Sequence, residues 1–310
     1  MSAPSAEEFG AILIAGPTAS GKSGLALTLA ERLAAAGREA LILNADAMQV
    51  YRDLRVLTAR PSPEDEARAP HALYGYLDAA ARCSAGVWAR AAAVEAEAAL
   101  ARGAVLIIVG GTGLYFRALT EGLSPMPEVS AEIMTAAAAR REALGPEDFR
   151  ADVLARDPAM ARFPASDAQR MQRAWSVHEA TGTPLSDWQA APPEPLLSRI
   201  AARLVLEPPR DALYANCEKR FDAMLEAGAV EEVERLIARG LDPSLPAMKA
   251  LGVPEIAAAL TGAMTLAAAA DEAKTRTRQF AKRQLTWFRN QTADWERAGG
   301  VEDGLQALSR

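Results

Sequence analysis

Residues 16–23 read Gly16-Pro17-Thr18-Ala19-Ser20-Gly21-Lys22-Ser23. This is a complete G-x-x-x-x-G-K-[ST] phosphate loop. It constrains the fold more than any other stretch, because such a loop works only between a strand and a helix. Both flanks comply. Ala11–Ala15 (AILIA) is a short apolar run that predicts a buried strand ending at Gly16-Pro17. Ser23–Ala36 consists of good helix formers and is stopped by Gly37. The glycines let the backbone curl so that N–H groups point inward at phosphate oxygens, and the helix N-terminus adds positive potential. Gly16 to Ser23 are therefore the expected diphosphate- or nucleotide-binding residues. Lys22 would bring a point charge to the terminal phosphates, and the Ser23 hydroxyl is placed to ligate Mg²⁺. The motif specifies a polyphosphate without saying which one.

The remaining apolar runs extend this start. Glu39–Leu43 and Ala104–Val109 predict further strands, with Gly86–Arg102 as a helix between them. Such alternation predicts an α/β fold: a P-loop NTPase-like parallel sheet core with helices on both faces. After Gly122 the pattern changes. Ser124–Pro127 is a proline turn, Ser130–Trp188 reads as several helices without an apolar strand, and Ala190–Pro195 (AAPPEP) is a return linker. Strand character resumes at Ala201–Leu206, and Asp211–Gly240 and Leu266–Gln291 are long helical stretches. The expected organisation is a first part of the core at 1–123, an all-helical insertion at 124–195 and a second part of the core at 196–310.

Composition excludes several classes. Two cysteines, Cys83 and Cys217, lie far apart with no CxxC partner, and there are two histidines. A disulfide scaffold, a zinc ribbon and a histidine-rich metal site are thereby ruled out, and a reducing, cytoplasmic setting is expected. No uncharged stretch reaches the ~18 apolar residues of a membrane span, and the acidic N-terminus has no basic region of a signal peptide. No heptad seam is visible, so a monomer is expected.

Ligands of a parallel sheet meet the carboxyl ends of its strands. After the second strand comes Asn44-Ala45-Asp46-Ala47-Met48-Gln49-Val50-Tyr51. Asp46 there is either a turn carboxylate capping local N–H groups, or a general base or indirect magnesium partner facing the phosphate loop. After Ala104–Val109 comes Gly110-Gly111-Thr112-Gly113-Leu114-Tyr115. P-loop ATPases usually carry an Asp for Mg²⁺ at such a strand end. A hydroxyl and free N–H groups suit a diphosphate leaving group better than a hydrolytic water; the other reading is a glycine-rich turn needed only for packing. His71 reads as a structural hydrogen-bonding residue.

The net charge is −6, from 34 basic and 40 acidic residues, which argues against a nucleic-acid binder. The charge is uneven, however. Ala273–Asn290 holds Lys274, Arg276, Arg278, Lys282, Arg283 and Arg289 and no Asp or Glu. Local field, not total charge, attracts a polyanion. This run is either a solvated face or a phosphate-binding one. Gln169-Arg170-Met171-Gln172-Arg173 sets two arginines about one helical turn apart, either a polar helix face or a grip on phosphates and base edges.

Taken together, GPTASGKS at 16–23, NADAMQVY at 44–51, PHAL at 70–73, VGGTGLYFRAL at 109–119, EGLSP at 121–125, DAQRMQRA at 167–174 and KRQLTWFR at 282–289 resemble the tRNA dimethylallyltransferase (isopentenyl-tRNA transferase) family. Order and spacing agree over most of the chain. The resemblance implies transfer of a dimethylallyl group from dimethylallyl diphosphate to N6 of the adenosine 3′ of the anticodon, in tRNAs that read codons starting with U. It implies Mg²⁺ as cofactor and the tRNA anticodon stem-loop as partner. Asp46 would act as base, with Thr112 and Lys22 as the other catalytic residues. The implied tRNA contacts are Asp46, Ala47, Met48, Gln49, Thr112, Gln169, Arg170, Met171, Gln172, Arg173, Lys249, Lys282, Arg283, Gln284, Leu285, Thr286, Trp287, Phe288 and Arg289. Two departures stand out: Ala47 replaces a serine that many members carry, and Lys249 lies in a segment where many carry an arginine, which alone can make a two-pronged contact. A small-molecule or nucleoside kinase shares the phosphate loop and the Asp after the second strand, but leaves the basic helix unexplained.

Overall fold

Among the described residues, six strands form one parallel sheet: β1 (Ala11–Ala15), β2 (Ala40–Asn44), β3 (His71–Ala72), β4 (Val105–Gly110), β5 (Ile200–Leu206) and β6 (Glu296–Ala298). Their order across the sheet is β3-β2-β4-β1-β5-β6. The computed structural model describes residues 10–193, 195–197 and 199–308. The interior strands are apolar on both faces, with every residue of β2 and β4 buried, as a sheet covered on both sides requires. Register fixes what lies at the carboxyl edge. Ala15 pairs with Gly110 and Asn44 pairs with Val109. The segments that follow β1, β2 and β4 therefore leave the sheet side by side, where the strand order reverses.

The helices around this sheet are α1 (Lys22–Ala35), α2 (Pro63–Arg68), α3 (Ala85–Ala101) and α4 (Gly113–Thr120) before the insertion, and five more after it. The latter are α8 (Arg210–Glu226), α9 (Ala229–Ala238), α10 (Val253–Leu260), α11 (Leu266–Gln291) and α12 (Val301–Ala307). The helical stretch expected at 211–240 is two helices, because Gly228 takes a left-handed conformation (φ 95°) that no helix continues through. Strand β6 carried no apolar run to announce it; it is held beside β5 by backbone pairing.

The chain divides into two units, Met1–Thr120 with Leu196–Arg310, and Glu121–Pro195. The described residues of the second unit form helices and no strand: α5 (Ala131–Arg156), broken by a kink at Gly145-Pro146, α6 (Ala168–Thr181) and α7 (Leu185–Ala190), joined by irregular segments. Its own core gathers Ala137, Phe149, Val153, Met171, Trp175 and Leu185. Among the described residues, no helix is long and apolar enough to cross a membrane.

Candidate active site

The phosphate loop is built as a cradle of donors and cations. Gly21 adopts φ 90°, which turns the backbone into α1. Gly16 is buried, and a Cβ there would lie 2.8 Å from Ser20 Oγ and 2.9 Å from the Leu206 carbonyl. Ser20 is 6% exposed and its hydroxyl has no partner within the protein, an orphan polar atom of the kind a phosphate oxygen satisfies. Lys22 turns its ammonium inward, donating to the Pro17 carbonyl at 3.1 Å. Burial lowers its pKa to about 8, with nearby Asp46 raising it, Arg220 lowering it and Cys217 raising it. Ser23 is exposed at the start of α1.

The turns after β2 and β4 are tied to each other. The Asp46 N–H donates to Asn44 Oδ1 at 2.8 Å, and Asp46 Oδ1 accepts from the Met48 N–H at 2.9 Å. The capping reading of Asp46 thus describes one carboxylate oxygen; Oδ2 has no hydrogen-bond partner among the described residues. Thr112 Oγ1 accepts from the Ala47 N–H at 2.9 Å, and the Thr112 N–H donates to the Ala45 carbonyl at 3.2 Å. The expected free N–H at Thr112 is therefore already used, because the two strand ends lie too close to leave it open. The glycines permit this approach: a Cβ on Gly110 would fall 2.0 Å from the Ala45 carbonyl oxygen. Behind the turn, buried Trp88 donates to the Asn44 carbonyl at 2.9 Å and stacks on Tyr115 with ring centroids 4.0 Å apart. His71 Nδ1 lies 2.8 Å from the Ala69 carbonyl, and burial lowers its pKa, which matches a structural histidine.

Two residues absent from the sequence reading, Arg220 and Glu232, belong to this site, together with Gln284, which that reading gave to tRNA. Arg220, on α8, donates from Nη2 to Thr18 Oγ1. The residue is half-buried, and desolvation lowers its pKa, with Cys217 and Asp46 opposing. No carboxylate forms an ion pair with it among the described residues. Gln284, on α11, joins the loop to the end of β4 through both ends of its amide. Glu232, buried on α9, accepts the N–H groups of Arg55, Val56 and Leu57 at 2.7, 2.8 and 2.9 Å. It anchors the loop to which Gln49 Nε2 is fastened, through the carbonyls of Thr58 and Ala59 at 2.8 and 3.0 Å. No sequence signal marks Arg220 or Glu232, since each is an ordinary charge on a helix until the fold buries it.

The basic run on α11 is largely neutralised from outside. Lys274 pairs with Asp222, Arg276 with Glu255 and Glu272, Arg278 with Glu218, and Arg289 with Glu207. Lys282 and Arg283 form no ion pair among the described residues; with Gln279 and Thr286 they line a surface groove. Arg283 also lies over the Phe280 ring, 5.7 Å from its centroid. Of the predicted 282–289 contacts, Gln284, Leu285 and Phe288 face the core at 6%, 7% and 0% exposure. Their place in the segment comes from the helical period, which turns them inward. Trp287 is partly buried, and a Cβ on Gly113 would meet its ring at 2.2 Å. Lys249 is exposed in a short 3₁₀ turn, Ala247–Lys249.

In the second unit, Gln169 and Arg170 are exposed and Gln172 and Arg173 partly buried. Arg170 is ion-paired to Asp167 and lies over the Phe163 ring, 4.7 Å from its centroid. Met171 is fully buried in the core of that unit, so its side chain packs and cannot touch a partner.

The family described as IPP transferase matches residues 49–291. A tRNA dimethylallyltransferase of Parvibaculum lavamentivorans is 53% identical over 287 residues, covering 92% of this chain and 90% of that protein. One from Phenylobacterium zucineum is 54% identical over 286 residues, covering 92% and 91%. Among solved structures, a eukaryotic dimethylallyltransferase acting on tRNA superposes with a TM-score of 0.73 at 25% identity, covering 90% of this chain and 70% of that one. The tRNA isopentenylpyrophosphate transferase of Bacillus halodurans gives 0.65 at 29%, covering 93% and 89%.

Proposed function

The chain belongs to the IPP transferase family, and from that premise we propose that it is a tRNA dimethylallyltransferase. It moves the dimethylallyl group of dimethylallyl diphosphate to N6 of the adenosine 3′ of the anticodon, in tRNAs reading codons that start with U. The observation that carries this reading is a pair of inward cations, Lys22 and Arg220, neither of which forms an ion pair among the described residues, at the loop beside the free Oδ2 of Asp46. Half-buried cations turned toward one another are costly unless an anion completes them. A diphosphate does so, and β4 ends in Gly110-Gly111-Thr112 without the carboxylate a kinase or ATPase places there.

The chemistry follows from these groups. An allylic diphosphate loses its leaving group readily once the developing charge is neutralised, the task of the loop N–H groups, Lys22 and Arg220. The C1–O bond to diphosphate breaks as the adenosine N6 forms a bond to C1. The N6 proton then passes to Asp46 Oδ2, whose carboxyl is aimed by the Met48 N–H on Oδ1. Thr112, locked to the Ala47 N–H, holds the two strand ends at the reaction centre. Mg²⁺ fits the donor set: the Ser23 hydroxyl stands at the loop end and Ser20 Oγ is unsatisfied, as for an ion held mainly by substrate phosphates. Bound there, it supplies further charge neutralisation to the diphosphate.

The target base must leave its stack to reach Asp46. We assign the grip on the anticodon stem-loop to Lys282 and Arg283 on α11, the turn at Ala47–Gln49, Lys249, and Gln169 to Arg173 of the helical unit, with Met171 supporting from within. Mass spectrometry of nucleosides from tRNA treated with the enzyme and dimethylallyl diphosphate tests the reaction; unmodified adenosine under saturating substrates would overturn it.

Two further outcomes follow. Lys282→Ala and Arg283→Ala should each reduce the log–log salt slope of tRNA binding by ~0.7–0.9. Arg289→Ala should change it little, because Glu207 already holds Arg289 at 2.5 Å. Equal slopes for all three variants would refute this ranking. Secondly, Lys22 must be protonated to hold a diphosphate, and the bound anion raises its pKa. Affinity should therefore fall as pH rises through about 8. Binding above that pH should take up a proton, as calorimetry in buffers of different ionisation heat reads. Lys22→Met should lose the uptake; a wild-type enzyme without it would exclude the assignment.

A further inference from the structure

The amide of Gln284 occupies a singular position. Its Oε1 accepts the Thr18 N–H at 2.8 Å, inside the phosphate loop. Its Nε2 donates to the Gly111 carbonyl at 2.8 Å, one residue before Thr112. The side chain is 6% exposed, and its polar contacts are satisfied by backbone alone. Room for it is built in: a Cβ on Gly111 would lie 2.3 Å from that Nε2. Thr18 is held a second time, through its Oγ1, by Arg220. Two helices, α8 and α11, therefore converge on one loop residue.

In a phosphate loop, each backbone N–H that points inward is a potential phosphate donor. Bonded to Gln284, the Thr18 N–H is withdrawn from that set. The donors left for the anion begin after Thr18, and the orphan hydroxyl of Ser20 lies among them. The same amide fixes the level of the loop relative to Gly111, and so to the Thr112 turn that carries the Ala47 N–H. We propose that Gln284 is a positioning residue for diphosphate: it sets the shape of the phosphate loop and its height against the end of β4, and does not itself contact tRNA. The proposal rests on the reading of residues 16–23 as a diphosphate cradle.

The test uses the full-length protein and inorganic diphosphate as probe, with tRNA binding measured separately. Gln284→Met keeps length and volume and removes both hydrogen bonds. It should weaken diphosphate binding at least tenfold and raise the KM for dimethylallyl diphosphate accordingly. kcat at saturation should fall much less, and the tRNA dissociation constant and salt slope should stay unchanged. Gly111→Ala, which evicts the amide, should reproduce this split. If the methionine variant does not fold, Gln284→Glu serves instead. It keeps the acceptor for Thr18 but loses the donor to Gly111 when ionised, so diphosphate binding should recover as pH is lowered and the carboxyl regains its proton. A folded variant that binds diphosphate within threefold of wild type overturns the proposal. So does weaker tRNA binding with diphosphate unaffected, which would make Gln284 part of the tRNA face. Failure of the wild-type protein to bind diphosphate would refute the cradle itself.

Discussion

Asp46→Asn should slow prenyl transfer in a single turnover by ~10²–10⁴, the usual worth of a positioned general base, with both substrates still bound. The structure makes this substitution unusually clean. Asp46 Oδ1 caps the Met48 N–H at 2.9 Å, and an asparagine Oδ1 can do the same. The Asp46 N–H bond to Asn44 is backbone-to-neighbour and is untouched. What changes is Oδ2, which becomes an amide nitrogen unable to accept the N6 proton. Stability should therefore hold while rate collapses. Asp46→Ala should be at least as slow and also lose the cap, at a cost of about 1 kcal/mol, so the two variants separate the two roles of one carboxylate. Rapid-quench measurement at saturating tRNA reads the rate. A loss under about threefold for Asp46→Asn would leave Asp46 as a turn residue only.

Elements that bury a continuous apolar run were legible in advance. AILIA and AVLIIV lie within a residue of β1 and β4, because a strand covered on both faces has no other pattern to show. Strand β6 (Glu-Arg-Ala) has no such pattern and is defined only by the neighbour it pairs with. The turn from β1 into α1 and the Asp46 turn were legible for a similar local reason, since each local geometry needs particular residues at consecutive positions. The basic segment was read too evenly. A motif of eight letters suggests eight contacts, whereas the helical period exposes Lys282, Arg283, Thr286 and Arg289 and buries Gln284, Leu285 and Phe288. Its field was also overstated. The partners of Lys274 and Arg278 are Asp222 and Glu218, one turn apart on α8, and no local scan joins them across the 52 and 60 positions that separate each pair. The buried amide of Gln284 and the carboxylate of Glu232 share that difficulty, because their partners are backbone groups of distant turns.

Arg220 carries the second large effect, and its sign in two measurements is the point. Arg220→Met should lower kcat by ~10²–10³, the loss typical of removing one preorganised donor to a developing negative charge. Thermal stability should not fall with it. In the free protein Arg220 is a half-buried guanidinium with no ion pair among the described residues; desolvation lowers its pKa, and the Cys217 and Asp46 charges only partly oppose this. Replacing a partly desolvated charge that has no ion pair by an apolar chain of similar length is neutral or stabilising. The bond it makes, to Thr18 Oγ1, is a weak reason to keep a half-buried cation, since Thr18 is held independently by Gln284. A purely structural Arg220 predicts the opposite pattern: a lower melting temperature and a rate change no larger than the unfolded fraction explains. Arg220→Lys sharpens the comparison. It keeps the charge but not the forked donors that span two phosphate oxygens, so its rate should lie between wild type and the methionine variant. Added diphosphate should raise the melting temperature of wild type clearly and of Arg220→Met much less, because stabilisation by a ligand scales with its affinity for the folded state. A methionine variant that loses stability, keeps its rate and is still protected by diphosphate would remove Arg220 from the leaving-group site.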